Sequence, residues 1–310
     1  MSDVPHVCTF CGGEPAATWR AKELRYGTGA PFTYSECATC GALELLDPPA
    51  DLSAYYPADY PSFNDPGERL RHPIRRLRNQ LLLGRRGPIA QLVERVRPHP
   101  AATWLSRTGT TRDSRILDVG SGSGTLLTDL GRVGFRHLTG VDRFIPSEVD
   151  GPGFTVIKGT IADVAGQFEL VMFHHSLEHI VEQRQTVAEV ARVLAPGGWC
   201  LVRLPIVPCD AWSIYGVDWV QLDPPRHVVI HSIDSLSRLF GEVGLTLRAT
   251  DYDSTGMQFA GSEAYRLGLE LAEVESAFTA AELRAFDERA TALNAKQRGD
   301  QAALYFRAPD

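Results

Sequence analysis

From Ser114 onward, short apolar runs alternate with amphipathic stretches, a texture that predicts βαβ units and a parallel sheet. The apolar runs predict strands at Arg115–Val119, Leu138–Val141, Phe154–Ile157, Glu169–Phe173 and Trp199–Leu204. Between the last two, Val187, Val190, Ala191 and Leu194 recur at helical spacing, so 182–195 is expected to be a helix with one buried face. Ala195-Pro196-Gly197-Gly198 is expected to stop it and turn into the next strand. Leu236, Leu239, Phe240 and Val243 repeat the helical spacing, with Ser232 placed to cap the helix and Gly244 just beyond its end. A strand over 245–252, a helical stretch over 262–296 and a last strand over 302–307 complete the pattern.

Before Ser114 the texture differs. Thr33–Glu36 and Ala42–Leu46 predict two short strands, which Asp47-Pro48-Pro49 ends because proline cannot continue a ladder. An aromatic, proline-punctuated segment follows at Tyr55–Phe63, then an arginine-rich stretch with helical spacing at Leu77, Leu81, Leu92 and Val96. The organisation expected is therefore a small module at 1–50, an aromatic and Arg-rich helical connector at 51–112, and an α/β domain at 113–310.

Three observations about chemistry change this picture. The first is a pair of matching turns, Cys8-Thr9-Phe10-Cys11-Gly12 and Cys37-Ala38-Thr39-Cys40-Gly41. Each CxxC presents two thiolates to one ion, and two such turns complete a tetrahedral four-cysteine site. With no export signal at the N-terminus, the pattern reads as metal rather than disulfide. The expectation is one structural Zn2+ on Cys8, Cys11, Cys37 and Cys40. A redox dithiol would need only one such pair. Cys200 lies in an apolar strand and reads as a core residue.

The second is charge. The chain carries a formal net charge of −7, but eleven arginines against three acids give Asn64–Arg112 a net +8 and leave −15 elsewhere. Overall acidity argues against a nucleic-acid-coating protein, while the local field suits an anionic small-molecule acceptor. No apolar run reaches the roughly 18 residues of a membrane span, and a cytoplasmic location is the default expectation.

The third is Ile116-Leu117-Asp118-Val119-Gly120-Ser121-Gly122-Ser123-Gly124, a strand running into a GxGxG turn before a helix. Glycines at 120, 122 and 124 allow the backbone to turn sharply and approach a ligand closely. Thr125 stands where a dinucleotide fingerprint wants a small third residue. Asp118 suits the amino-acid end of S-adenosylmethionine (SAM), and Asp142, after the second strand, can accept from ribose hydroxyls.

These residues resemble class I SAM-dependent methyltransferases. The likeness runs over 114–210 and includes Phe173-His174-His175-Ser176-Leu177-Glu178-His179 and Leu194-Ala195-Pro196-Gly197-Gly198. It implies a Rossmann-like, seven-stranded α/β sheet whose last strand inserts antiparallel. It also implies cofactor contacts from Asp118, Gly120, Ser121, Gly122, Gly124, Asp142, Thr160, Ile161 and His174. Thr160 stands where many members of the family carry an acid. The whole chain is similar to bacterial methyltransferases with an N-terminal zinc ribbon that act on sugars, nucleotide sugars, polysaccharides or secondary metabolites. That likeness extends to Leu222-Asp223-Pro224-Pro225-Arg226-His227 and Gly299-Asp300-Gln301-Ala302.

Methyl transfer often needs a proton acceptor, and histidine suits the task. His227 is the first candidate, on a proline-stiffened loop that presents Arg226 beside it, and His175 the second, with Glu178 alongside. Trp212, Tyr215 and Trp219 offer either a stacking wall for a sugar ring or core. Two rival functions stand against a small-molecule methyltransferase: an RNA methyltransferase gripping its substrate with the zinc module and the arginine stretch, and a non-enzymatic zinc-ribbon adaptor.

Overall fold

The computed structural model describes residues 6–56 and 100–310. Most of the Tyr55–Phe63 segment and the arginine-rich stretch up to residue 99 lie outside the described residues.

In chain order the strands are β1 (Pro15–Lys22), β2 (Pro31–Cys37), β3 (Leu43–Leu46), β4 (Arg115–Val119), β5 (His137–Asp142), β6 (Val149–Gly151), β7 (Phe154–Lys158), β8 (Phe168–His174), β9 (Leu194–Pro205), β10 (Val229–Ile230), β11 (Thr246–Tyr252) and β12 (Gln301–Arg307). The helices are α1 (Pro100–Thr108), α2 (Thr125–Arg132), α3 (Gln183–Val193), α4 (Asp210–Tyr215), α5 (Ile233–Gly241), α6 (Met257–Arg266), α7 (Val274–Ala277) and α8 (Ala280–Ala295). β1, β2, β3 and β10 form one sheet in that order; the larger sheet has the order β11-β12-β9-β8-β4-β5-β7-β6.

The larger sheet thus has eight strands where seven are expected. The addition is β6, which pairs antiparallel with β7 through Val149↔Val156, Asp150↔Thr155 and Gly151↔Phe154. Pro152-Gly153 makes the hairpin, with Gly153 at φ 87° as the second turn residue. Pro followed by Gly is the composition such a turn demands. Two other boundaries move. The helix stops at Val193 and β9 starts at Leu194, so Ala195-Pro196-Gly197-Gly198 lies within the strand rather than before it, with Gly197 turning the backbone at φ 64°. The stretch 262–296 is three helices: Gly268, at φ 72°, follows the first, and Thr279 caps the last by accepting from the Glu282 amide.

The described residues pack as two compact units, each assembled from separated stretches: 6–55, 175–183 and 203–304 in one, and 56, 100–174, 184–202 and 305–310 in the other. The second unit holds the parallel part of the large sheet. β4 lies between β5 and β8 and is parallel to both, with Asp118 level with Gly140 on one side and Met172 on the other. β5 is likewise parallel to β7. Ile116, Leu117, Val141, Val156, Leu170, Val171 and Phe173 are buried in this sheet. From β4 the chain runs out to β5, β6 and β7 on one side of the sheet and then crosses back to β8 on the other. That is the position at which open α/β sheets bind ligands, outside the strands' C-terminal ends.

The first unit holds the small sheet, with β1, β2 and β3 antiparallel and β3 paired to β10 through Leu43↔Ile230 and Glu44↔Val229. Tyr34, Leu43 and Ala42 are fully buried there. Ser232 caps α5 as expected, accepting from the Ser235 amide at 3.0 Å.

Candidate active site

In the second unit the glycine loop leaves β4 and enters α2. Gly120, Gly122 and Gly124 all have positive φ, at 77°, 54° and 82°. Other residues reach that region only under strain, so the alternation of glycines has a backbone cause. At Gly124 the constraint is double, because a Cβ there would meet the Phe154 ring at 2.6 Å. The Gly120 amide donates to the Val141 carbonyl at 2.8 Å, tying the loop to the end of β5. Asp142 then closes it: one carboxylate oxygen accepts from the Gly122 amide at 2.9 Å and the other from the Phe144 amide at 2.8 Å. Two bonds leave roughly two further lone-pair sites on that carboxylate.

Asp118 is buried near Asp142, and its Oδ1 has no hydrogen-bond partner. Burial, and after it the charge of Asp142, push its carboxyl up to about 7. A buried carboxylate without a donor is a costly feature in a folded chain. Thr160 caps a short turn whose Asp163 accepts from the Thr160 amide at 2.8 Å and hydroxyl at 3.1 Å, with Ile161 buried beneath. Asp163 itself escapes the sequence reading: it sits three residues after Thr160 and folds back onto it. His174, at the end of β8, packs its ring 4.2 Å from that of Trp104, and Tyr56 stacks on Phe144 at 5.0 Å.

In the first unit a second constellation forms. His175 lies at φ 52°, and its Nε2 accepts from Arg203 Nη1 at 2.7 Å. Glu178 is fully buried, with Oε1 3.4 Å from His175 Nδ1. Burial alone would raise its carboxyl; His175, followed by His179 and His227, overrides this and holds it down at about 2. His179 donates from Nδ1 to the Arg226 carbonyl at 2.9 Å, and His227 from Nδ1 to the Gln221 carbonyl at 2.7 Å. The two rings lie 4.7 Å apart. Burial, then the neighbouring His179, push the His227 imidazole down to about 4.

The loop carrying His227 is held from several sides. Tyr34 donates its hydroxyl to the His227 carbonyl at 2.7 Å, and the Leu45 amide donates to the Val228 carbonyl at 2.8 Å. Arg226 is 1% exposed, so it is not presented outward as the sequence suggests. It forks onto Asp223 at 2.5 Å and Glu23 at 2.8 Å. Of the two readings of the aromatics, burial favours core. Trp212, Tyr215 and Trp219 are buried, and Trp219 spends its indole N–H on Asp300 at 3.1 Å.

Near the N-terminus the four cysteines converge, with Cys8 and Cys40 sulfurs 3.6 Å apart and Cys11 and Cys37 sulfurs 3.4 Å apart. Four thiolates at about 2.3 Å from one ion would lie roughly 3.8 Å apart, so the donor set fits tetrahedral zinc with little adjustment. Gly12 and Gly41, at φ 71° and 75°, return their amides to the Cys8 and Cys37 carbonyls. The amides of Thr39 and Cys40 point at the Cys37 sulfur.

A parallel sheet with a glycine loop at its topological switch and a buried acid on either side defines a nucleotide-cofactor-binding α/β domain. A family described as the methyltransferase domain matches residues 88–250, and the chain belongs to it. A ubiquinone biosynthesis O-methyltransferase of Aromatoleum aromaticum is 28% identical over 107 residues, 31% of this chain and 45% of that protein. The chain thus spans under half the length of that relative. The protein of the same description from Bordetella pertussis is 28% identical over 173 residues, 50% of this chain and 69% of its own. Among solved structures, the 1,6-didemethyltoxoflavin-N1-methyltransferase of Burkholderia thailandensis is similar with a TM-score of 0.45 at 13% identity, covering 88% of this chain and 97% of that one. None of the described helices is long and apolar enough to cross a membrane.

Proposed function

We propose that the chain transfers the methyl group of SAM to a small-molecule acceptor, with a sugar, nucleotide sugar, polysaccharide or secondary metabolite as the acceptor class. The observation that carries the cofactor assignment is the buried, donorless Asp118 oxygen beside a glycine loop already clamped by Asp142. SAM brings the two groups these acids lack. Its α-ammonium satisfies Asp118, and its ribose hydroxyls donate to the remaining lone pairs of Asp142. Gly120, Ser121, Gly122 and Gly124 let the cofactor lie against backbone, with Thr160, Ile161 and His174 as further contacts. When bound, SAM supplies an already activated methyl carbon, so the protein's task is alignment, water exclusion and removal of a proton.

Proton handling is assigned to the histidine–carboxylate cluster of His175, Glu178, His179 and His227 as a whole. Zinc on Cys8, Cys11, Cys37 and Cys40 is structural in this reading, since four thiolates leave no open position. The +8 of Asn64–Arg112 supports an anionic acceptor such as a nucleotide-linked sugar.

The test is calorimetric titration with SAM, followed by transfer of a labelled methyl group to a panel of sugars, nucleotide sugars and RNA. SAM should bind, and Asp142→Ala should weaken it about ten- to a hundredfold through loss of charge-assisted bonds of roughly 1.5–3 kcal/mol. Absence of SAM binding to the native protein would remove this reading. Label appearing on RNA alone would transfer it to the nucleic-acid alternative.

A further inference from the structure

Thr9 and Phe10, the two residues between the cysteines of the first knuckle, each contact chain that leads to the histidine–carboxylate cluster. Thr9 donates its amide to both Glu44 carboxylate oxygens, at 3.1 and 3.2 Å, and its hydroxyl to one of them. Glu44 lies in β3 opposite Val229 of β10. Beside that pair, the Leu45 amide donates to the Val228 carbonyl and the Val228 amide donates to the Glu178 carbonyl, each at 2.8 Å. Val228, the neighbour of His227, is therefore held between the small sheet and Glu178.

Phe10 takes a second route. Its ring meets the His231 imidazole edge-on, with centroids 4.7 Å apart at 61°. His231 is fully buried, and its Nε2 lies 2.6 Å from Gln183 Oε1. The next link fixes the direction of that bond. Gln183 donates its amide nitrogen to the Leu177 carbonyl at 2.9 Å, so its oxygen faces the ring and Nε2 must donate. Nδ1 faces the Ser235 hydroxyl at 2.9 Å. The ring thus joins the knuckle to the Leu177–His179 turn, and a buried polar network of this kind tolerates the loss of one member poorly.

We propose that Thr9, Phe10 and His231 are positioning residues for the histidine–carboxylate cluster, so that zinc on Cys8, Cys11, Cys37 and Cys40 sets the alignment of Glu178, His179 and His227 as well as the fold of the small sheet. Coupling of this kind requires an element with two states, and a zinc knuckle has them: closed around its ion and open without it. Both routes lie within the first unit, whereas the glycine loop belongs to the other. Loss of the coupling should therefore disturb the cluster and spare the cofactor. What the aligned cluster does for an acceptor rests on the methyl-transfer reading; the coupling does not.

The test compares amide hydrogen exchange and imidazole NMR in the zinc-loaded full chain, in Phe10→Ala and in His231→Leu, with zinc content and SAM affinity measured on each. In the native protein His179 and His227 should show a pure Nδ1–H tautomer, as their carbonyl partners require. In both variants, with zinc retained, the Val228 and Ile180 amides should exchange at least about tenfold faster, and the two rings should show mixed tautomers. Protection of α2 and SAM affinity should stay native. Chelation of the native protein should loosen the same two amides. His231→Gln, whose amide nitrogen can take the place of Nε2, should restore the Ile180 protection that His231→Leu loses. Unchanged amides and tautomers in Phe10→Ala, native Val228 protection after chelation, or equal loosening of Val228 and α2 would overturn the proposal. If Phe10→Ala does not fold, Phe10→Leu, which keeps bulk without the ring edge, takes its place. Coupled amides without SAM binding would refute methyl transfer and leave the coupling standing; SAM binding with unmoved amides would do the reverse.

Discussion

The glycine loop and the histidine–carboxylate cluster reach comparable burial by opposite routes. In the loop, Asp118, the three glycines and Asp142 lie within 25 residues, and parallel register brings the ends of β4 and β5 together without help from distant chain. In the cluster, Glu178 and His179 meet His227 across some fifty residues, and the loop bearing His227 is fixed by Tyr34, 193 residues away in sequence. A site made by backbone constraint leaves a local mark, because only glycine tolerates the required φ. A site made by packing leaves none. The loop should therefore fail through single backbone changes, and the cluster through loss of whatever holds its surroundings.

The largest effect expected is metal loss at the cysteines. A structural zinc contributes about 10–16 kcal/mol to the folding of small modules. Chelation, or Cys37→Ser, should release stoichiometric zinc and abolish hydrogen-exchange protection of β1–β3. Full protection of those strands in metal-free protein would show that the small sheet stands on its own packing.

Next is the buried ion network. Arg226 sits between Asp223 and Glu23, both also buried. Glu23→Ala leaves the guanidinium partly uncompensated and should cost about 3–5 kcal/mol in denaturant unfolding. A change below about 1 kcal/mol would mean that Asp223 alone balances the charge.

Legibility in the sequence divides along the same line. The strands of the parallel sheet, the GxGxG turn, both acids and the two cysteine knuckles are all visible, because each is a short-range requirement: alternation, positive φ, ligand spacing. β9 is harder to place. Leu194 fits the helical period of Val187 and Val190, yet it opens a strand, and periodicity alone cannot say when the chain changes state. Arg226 misleads, and the tryptophans stay ambiguous, for a related reason. Composition cannot distinguish an arginine offered to a ligand from one locked between two buried acids, nor a sugar-stacking wall from core. Glu178 stands out beside His175 in sequence, but its place against both His179 and His227 depends on a fold-level meeting that no spacing announces.

A smaller effect should follow at the glycine loop. Gly124→Ala places a side chain at φ 82° with the Phe154 ring 2.6 Å from the new Cβ. Strain of about 1–3 kcal/mol is expected. It should appear as a loss of roughly five- to a hundredfold in SAM affinity, with zinc content unchanged. Equal affinity would mean the loop can shift without loosening the cofactor, and the contrast between local and assembled sites would weaken.

The smallest effect is a pH dependence, and its sign follows from Asp118. Its carboxyl is raised from 3.8 to about 7 in the folded protein, by burial first and by Asp142 second. An acid that holds its proton more tightly when folded makes the fold relatively less stable as pH rises from about 4 towards 7, with no further change above that. SAM binding runs the other way. Its α-ammonium pairs with the ionised carboxylate, so affinity should rise as pH approaches about 7 and then level off. A midpoint near 7 predicts a gain of roughly five- to sixfold between about pH 6 and about pH 7.5, because an α-amine with an ordinary value of about 7.7–8.0 has begun to lose its own proton at the upper end. Asp118→Asn should bind more weakly at the upper end and show a flat profile. A native profile already flat over this range would place the cofactor's ammonium elsewhere, and a slope that survives in Asp118→Asn would assign the titrating group to another residue of the loop.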